Sequence, residues 1–388
     1  MPKLKLVLVN VVVLSSLYGV VELPYSTYRY FQSSACPNSC WFYEHPGETV
    51  RFDPDRGYFL TRVPSRMGRI TNRQLEWVGY LRGNAQGFAD RDDFTLERLH
   101  KDQWRIAVFG DSFTSAQYIL RNWPDRVEDS GAHNGRSLVL LNFSVDGAGL
   151  ANWESVLRNV VVKDKYELDG ILFAVTWDDL DRKFTVFDQV DDNTVAYART
   201  QSWDITSHPR TLSEARALIK KNPHTYVVSP AEFDAAMSGQ WKPPREWHFR
   251  ISERIEEVAG RLLNHSPEKD AGFESGQSVL MQEIRRLADE KSLPIAVVYI
   301  PFRQELFDPA YPSNLERTRQ FAEMLGATFI DGREAFRGLS SQQIRDDWFL
   351  YDGHWNLRGS DRFADFMTTQ IPNWVEGRAG RATNGEEH

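Results

Sequence analysis

The sequence predicts an α/β fold built on a parallel sheet that helices cover on both faces. Three observations point there. Short apolar runs at 104–110, 137–142, 170–175, 295–300 and 327–330 read as buried strands. Apolar residues at helical spacing separate most of them. Strands that alternate with helices imply parallel pairing with both faces buried.

The elements follow in chain order. After Lys3 and Lys5, residues Leu6–Leu23 form an apolar run. At about 1.5 Å per residue it spans roughly 27 Å, just short of the ~30 Å hydrocarbon core. We read residues 1–25 as an uncleaved, single-pass membrane anchor, because no small-residue cleavage site follows promptly. The two lysines put the N-terminus in the cytoplasm and the bulk of the chain on the far side, which is periplasmic in a bacterium. The alternative is a secreted protein released by signal-peptide cleavage. Cys36 and Cys40 can close a small local ring in such an oxidising compartment. Residues 26–100, with several prolines and many charges, read as an irregular lead-in with short strands.

The 101–372 domain then begins with strand Trp104–Gly110, an amphipathic stretch to about 130, and strand Ser137–Asn142. A helix over Trp153–Val161 and strand Gly170–Val175 come next. Residues 181–272 break the rhythm as a large insertion after the third strand, with helical stretches Leu212–Lys220 and Arg245–Leu263. Its Trp203, Trp241 and Trp247 are expected at the pocket rim, since insertions at strand ends set specificity. Helix Val279–Glu290, strand Ile295–Ile300, helix Asn314–Leu325, strand Ala327–Ile330 and helix Leu357–Thr369 complete the domain. Residues 373–388 read as a flexible tail.

Composition narrows the function. The chain has 388 residues, 41% hydrophobic and 26% charged, which excludes wholesale disorder. A net charge of −8 argues against a nucleic-acid partner, which calls for a basic face. Two cysteines exclude a disulfide scaffold, a four-cysteine zinc site and a thiolate-held cluster. No metal or cofactor is expected: HExxH and GKS/T motifs are missing. The pair Gly147 and Gly149 lacks a dinucleotide loop's third glycine, because Asn152 stands in its place.

Chemistry in such a sheet belongs at the carboxyl ends of its strands. There lie Gly110, Asp111 and Ser112; then Asp146, Gly147 and Gly149; then Trp177, Asp178 and Asp179. Asp352 and His354 precede the last helix. A serine, a glycine loop and an Asp-x-His pair suit acyl transfer. His354 can take the Ser112 proton, Asp352 can fix its tautomer, and N–H groups of Ser112 and Gly147 can meet the oxyanion.

This constellation resembles the SGNH hydrolases, the GDSL-like lipases and esterases. Residues 106–114, IAVFGDSFT, match the family's first block, which makes Ser112 the nucleophile. Gly147 takes the second-block glycine, and Asp352 and His354 take the last block. The stretch Asn84–Phe88 is similar to longer, membrane-anchored members. The resemblance implies a three-layer α/β/α sandwich with flavodoxin-like strand order. It also implies a serine esterase that cleaves an ester or O-acyl group on a small molecule or a cell-envelope glycan. The alternatives are an O-acyltransferase to polysaccharide with the same triad, and a non-catalytic carbohydrate-binding or assembly protein. Asp178 stands where the family has an oxyanion-hole asparagine. To donate a hydrogen bond there it has to be neutral, which burial or its neighbour Asp179 can arrange.

Overall fold

The structure, a computed structural model, describes residues 18–28, 39–72, 74–192, 194–219, 225–241, 272–308, 311 and 313–383. In chain order the strands are β1 (Ser39–Glu44), β2 (Val50–Asp53), β3 (Gly57–Leu60), β4 (Ser65–Thr71), β5 (Gln74–Leu81), β6 (Gln103–Phe109) and β7 (Ser137–Asn142). They continue as β8 (Gly170–Val175), β9 (Thr185–Asp191), β10 (Thr194–Arg199), β11 (Thr225–Val228), β12 (Ile295–Tyr299) and β13 (Thr328–Asp331).

Five of these form one sheet in the order β7-β6-β8-β12-β13, every pair parallel. Numbered among themselves they run 2-1-3-4-5, the doubly wound order with its switch point between the first and third strands. Their sequences explain the placement. β8 and β12 are apolar throughout and buried at every position, so neither face meets water. Helices Leu150–Val156, Ser275–Glu290 and Leu315–Met324 pack together, and helix Trp123–Glu128 packs on the last helix. Helix Ser275–Glu290 buries Leu280, Met281, Ile284, Leu287 and Ala288, one apolar stripe at helical spacing.

The last helix extends further than expected, over Leu357–Thr383. The apolar stripe does not stop at Thr369: Met367, Ile371, Trp374 and Val375 are all buried. That burial carries the helix past Pro372, so most of the expected flexible tail is helical.

The lead-in is also more ordered than its composition suggests. β1, β4 and β5 pair antiparallel, and β11 from the insertion adds parallel to β1, giving a mixed sheet β11-β1-β4-β5. In β5 the residues Trp77, Gly79 and Leu81 alternate inward with a period of two. β2–β3 and β9–β10 are separate hairpins. The expected helix at 212 forms as Leu212–Leu218, and a further helix spans Pro230–Met237. The expected helix Arg245–Leu263 lies outside the described residues.

Both sheets share one hydrophobic core, in which Tyr43, Trp77 and Leu81 join Ile106, Phe173 and Val297. Asn152 stitches the parts together. Its Nδ2 donates to the carbonyls of Arg56 and Thr185, both at 2.9 Å, and its Oδ1 accepts from Thr185 N–H.

At the N-terminus, most of the 6–23 run lies outside the described residues, and residues 18–28 are helical. Among the described residues no helix is long and apolar enough to cross a membrane. Cys40 is buried in β1 and is not a free thiol, while Cys36 lies outside the described residues.

Candidate active site

β6 ends at Phe109 and hands the chain to Asp111, whose Oδ1 accepts from Phe113 N–H at 2.9 Å. That cap starts the single helical turn Ser112–Ser115, which Ala116 closes in the left-handed region at φ 47°. Ser112 therefore sits at the carboxyl edge of the sheet, at the switch point.

His354 comes from the loop before the last helix, and backbone contacts pin that loop. Asn356 N–H donates to Asp347 C=O at 2.9 Å, and Phe349 N–H donates to His354 C=O at 3.1 Å. Trp355 is fully buried, edge-on to Phe113. The imidazole itself lies between Phe113 and Tyr118, with ring centroids 4.8 and 4.5 Å away.

The structure brings the three expected catalytic residues into one chain of hydrogen bonds. Ser112 Oγ lies 2.7 Å from His354 Nε2, and His354 Nδ1 lies 2.6 Å from Asp352 Oδ1. With Nδ1–H donating to the carboxylate, Nε2 is left to accept the serine proton.

The far side of Asp352 is held by the mixed sheet. Its Oδ2 accepts from Trp77 Nε1–H at 2.8 Å and pairs with the Arg69 guanidinium at 2.6 Å. Glu76 Oε1 accepts the N–H groups of Tyr351 and Asp352 at 2.6 and 2.8 Å. Sequence reasoning missed Arg69, Trp77 and Glu76, because their link to Asp352 is purely spatial.

The electrostatics follow from this cage. Burial pushes the Asp352 carboxyl up, but His354, Arg69 and Trp77 outweigh it and hold it well below the usual carboxylate range. Burial pushes the His354 ring down, yet the carboxylates of Asp352, Asp111 and Asp146 leave its pKa raised overall.

A pocket of about 350 Å³ opens on Ser112 and His354. Trp41, Tyr43 and Trp77 of the mixed sheet, with Phe187 and Tyr197 of the β9–β10 hairpin, form its walls. A larger hollow of about 810 Å³ beside Trp203 contains no nucleophile–base pair. The insertion thus lines the Ser112–His354 pocket, but not through the expected tryptophans. Trp203 borders the other hollow, Trp241 packs against Phe42, and Trp247 lies outside the described residues.

Gly147 lines the pocket at φ 69°, a conformation costly for other residues, and a Cβ there would come within 3.3 Å of the Tyr197 ring. Gly79 of β5 lies so close to the turn after Ser112 that a Cβ would sit 2.1 Å from Gln117 C=O. Tyr80 N–H donates to that same carbonyl at 2.8 Å, which docks the mixed sheet onto the turn after Ser112.

Asp178 is placed differently from the expectation. It does not line the pocket, and its carboxylate accepts from Arg182 at 2.6 Å, with Arg199 at 3.9 Å. The neighbour Asp179 is the buried acid. Burial and then Asp111 push its pKa well up, although Arg182 opposes them. The short turn Asp179–Asp181 rotates Asp179 inward, where its Oδ2 accepts Thr176 N–H at 2.8 Å. Arg182 binds Asp111 (2.9 Å), Asp178 (2.6 Å) and Asp179 (2.6 Å) together. Engaged as an acceptor, Asp178 is not a hydrogen-bond donor to an oxyanion.

Among the described residues, no group of three or more His, Cys, Asp or Glu side chains is arranged to hold a metal ion. No protein-family model matches the chain, and no curated protein matches it.

Proposed function

We propose that this chain is a serine hydrolase of the SGNH type, an esterase that cleaves an ester or O-acyl group. The observation that carries this reading is the hydrogen-bonded chain Ser112–His354–Asp352 at 2.7 and 2.6 Å on the switch-point edge. His354 takes the Ser112 proton as Oγ attacks the acyl carbon, and Asp352 stabilises the imidazolium. Main-chain N–H groups of Ser112 and Gly147 are the candidate oxyanion donors, since both residues line the pocket. His354 then returns the proton to the leaving alcohol. Water completes hydrolysis; a sugar hydroxyl in its place makes the same triad an acyltransferase.

A fluorophosphonate probe tests the reading. It should form a covalent adduct on Ser112 of the folded chain and none on Ser112→Ala, read by mass spectrometry. A folded wild type that resists the probe overturns the proposal.

The second reading is a non-catalytic binder on a hydrolase frame. The placement of Asp178 favours it, because losing one oxyanion donor costs about 10²–10³ in kcat. For location, we infer an N-terminal membrane anchor with the site on the extracytoplasmic side. Lys3, Lys5 and the 6–23 run support it, as do the exposed side chains of Val20, Val21 and Leu23. Protease added outside spheroplasts should digest the domain, and a protected C-terminus would refute the orientation.

A further inference from the structure

We propose that Asp146 is a binding subsite for a substrate hydroxyl, so that the ester is carried on a neutral polyol such as a sugar ring. The proposal rests on the triad pocket being the substrate site. Asp146 is 7% exposed and lines that pocket beside Ser112 and His354. One carboxylate oxygen, Oδ1, accepts from Ser115 Oγ, and the main-chain carbonyl accepts from Tyr58 at 3.2 Å. The other oxygen, Oδ2, has no hydrogen-bond partner among the described residues. That oxygen stays open to the pocket, whereas the hydroxyl of Tyr118, on the same pocket wall, is buried without a partner among the described residues. A buried hydroxyl left unpaired in an apolar site is costly, and a bound polar group that also reaches the open Asp146 oxygen relieves the cost.

Charge decides which group fits. No Lys or Arg is among the pocket's lining residues, so an anionic acyl group finds no counter-charge there. A substrate cation fits Asp146 but opposes the reaction, because His354 becomes positive in the transition state close by. The two are near enough to act on each other's titration: burial chiefly, tempered by Ser115 and His354, puts the Asp146 carboxyl at about 6. A neutral hydroxyl satisfies Oδ2 without placing a second positive charge beside the imidazolium.

Shape agrees. The aromatic walls of Trp41, Trp77, Phe187 and Tyr197 offer apolar faces against which the C–H face of a sugar ring packs. The volume of about 350 Å³ is near the lower end of the ~300–1,000 Å³ range of small-molecule sites. It suits one ring with a short acyl group better than a long lipid chain.

Calorimetry on the full chain carrying Ser112→Ala reads binding without turnover, with a monoacetylated methyl hexoside as the probe. Adding Asp146→Asn should weaken binding about tenfold or more. Asp146→Ser serves if the Asn variant does not fold. Equal affinity with and without the Asp146 change overturns the proposal, as does no binding at all. A loss confined to acetylcholine also overturns it, in favour of an ammonium site. With Ser112 intact, the ratio of kcat/KM for the sugar ester to that for p-nitrophenyl acetate should fall by a similar factor in Asp146→Asn. An unchanged ratio counts against the subsite. Sugar-ester binding that depends on Asp146, in a chain that turns over neither ester, upholds the subsite and removes the esterase reading instead.

Discussion

The five-stranded parallel sheet and the four-stranded mixed sheet meet on opposite sides of Asp352. The parallel sheet presents Ser112 at its switch point, and its following loops bring Gly147 and His354 alongside. The mixed sheet supplies no reacting atom, yet Arg69 and Trp77 occupy the carboxylate oxygen that His354 does not use. It also contributes Trp41, Tyr43, Met67, Trp77 and Thr225 to the pocket wall. On the proposed reading, one sheet places the chemistry, and the other sets how firmly and how strongly charged the acid behind it sits. A site assembled this way depends on the packing between two layers of quite different sequence character.

The largest expected effect separates the two layers. Ser112→Ala or His354→Ala should abolish ester turnover, by about 10⁶ in kcat, while circular dichroism stays that of the wild type. A loss below about tenfold, against the same benchmark, would take the chemistry out of the parallel sheet.

The mixed sheet should show a smaller loss with a different signature. Arg69→Met removes the cation behind Asp352 and should lower kcat/KM by about 10- to 100-fold. It also lets Asp352 hold the imidazolium more strongly, so the already raised His354 pKa rises further. Because the base works only when neutral, the acid limb of the pH–rate profile should move to higher pH. Arg69→Lys keeps the charge and should leave the limb in place. A reduced rate in Arg69→Met with an unmoved limb makes the mixed sheet a scaffold only.

A third comparison concerns stability at the edge of the parallel sheet. Asp90 and Glu128 accept the β7 N–H groups of Asn142 (3.1 Å) and Leu140 (2.7 Å), and Asp125 lies buried nearby. Burial above all pushes Asp90 and Asp125 to about 7 and Glu128 to about 8. These folded values exceed the unfolded ones, so the folded chain holds more protons between about pH 4 and pH 8. Stability should therefore fall as pH rises through that window. Thermal unfolding should come several degrees lower at pH 8.5 than at pH 5.5. A Tm that rises over the same range would show that these acids ionise freely in the fold.

The smallest effect is expected at Asp178→Asn. With its carboxylate on Arg182 and outside the pocket, kcat/KM should change by less than about threefold, within the range of a partly exposed ion pair. A rate gain near 10²-fold would instead return this position to the oxyanion hole.

The two sheets also differ in how far they could be read from sequence. β8 and β12 are unbroken apolar runs and β6 ends in one from Ile106 to Phe109, so their existence and their carboxyl ends are plain, and with them Ser112. The mixed sheet is harder to read because its pattern is broken: in β4, Arg66 and Arg69 interrupt the run that Met67 and Ile70 carry, and β11 joins from far along the chain. Asp178 and Asp179 could not be told apart, since a one-residue rotation in a turn decides which acid is buried. Arg69, far from Asp352 in sequence, carries no local signal of its role. Asp146 stood in the right loop, but its unpaired oxygen exists only once Ser115 has taken the other.

The parallel pairing of β1 with β11 has a consequence for how the chain comes to be folded. The two strands lie almost half of the chain's length apart, and everything from the Ser112–Ser115 turn to the β9–β10 hairpin lies between them. The mixed sheet therefore cannot be completed while the chain is still emerging, until residues 225–228 have been made. Such non-local closure is slow, and it leaves the open edge of β1 unpaired in the meantime. Deleting the β11 segment should accordingly harm yield and solubility during synthesis, whatever the pocket at Ser112 binds.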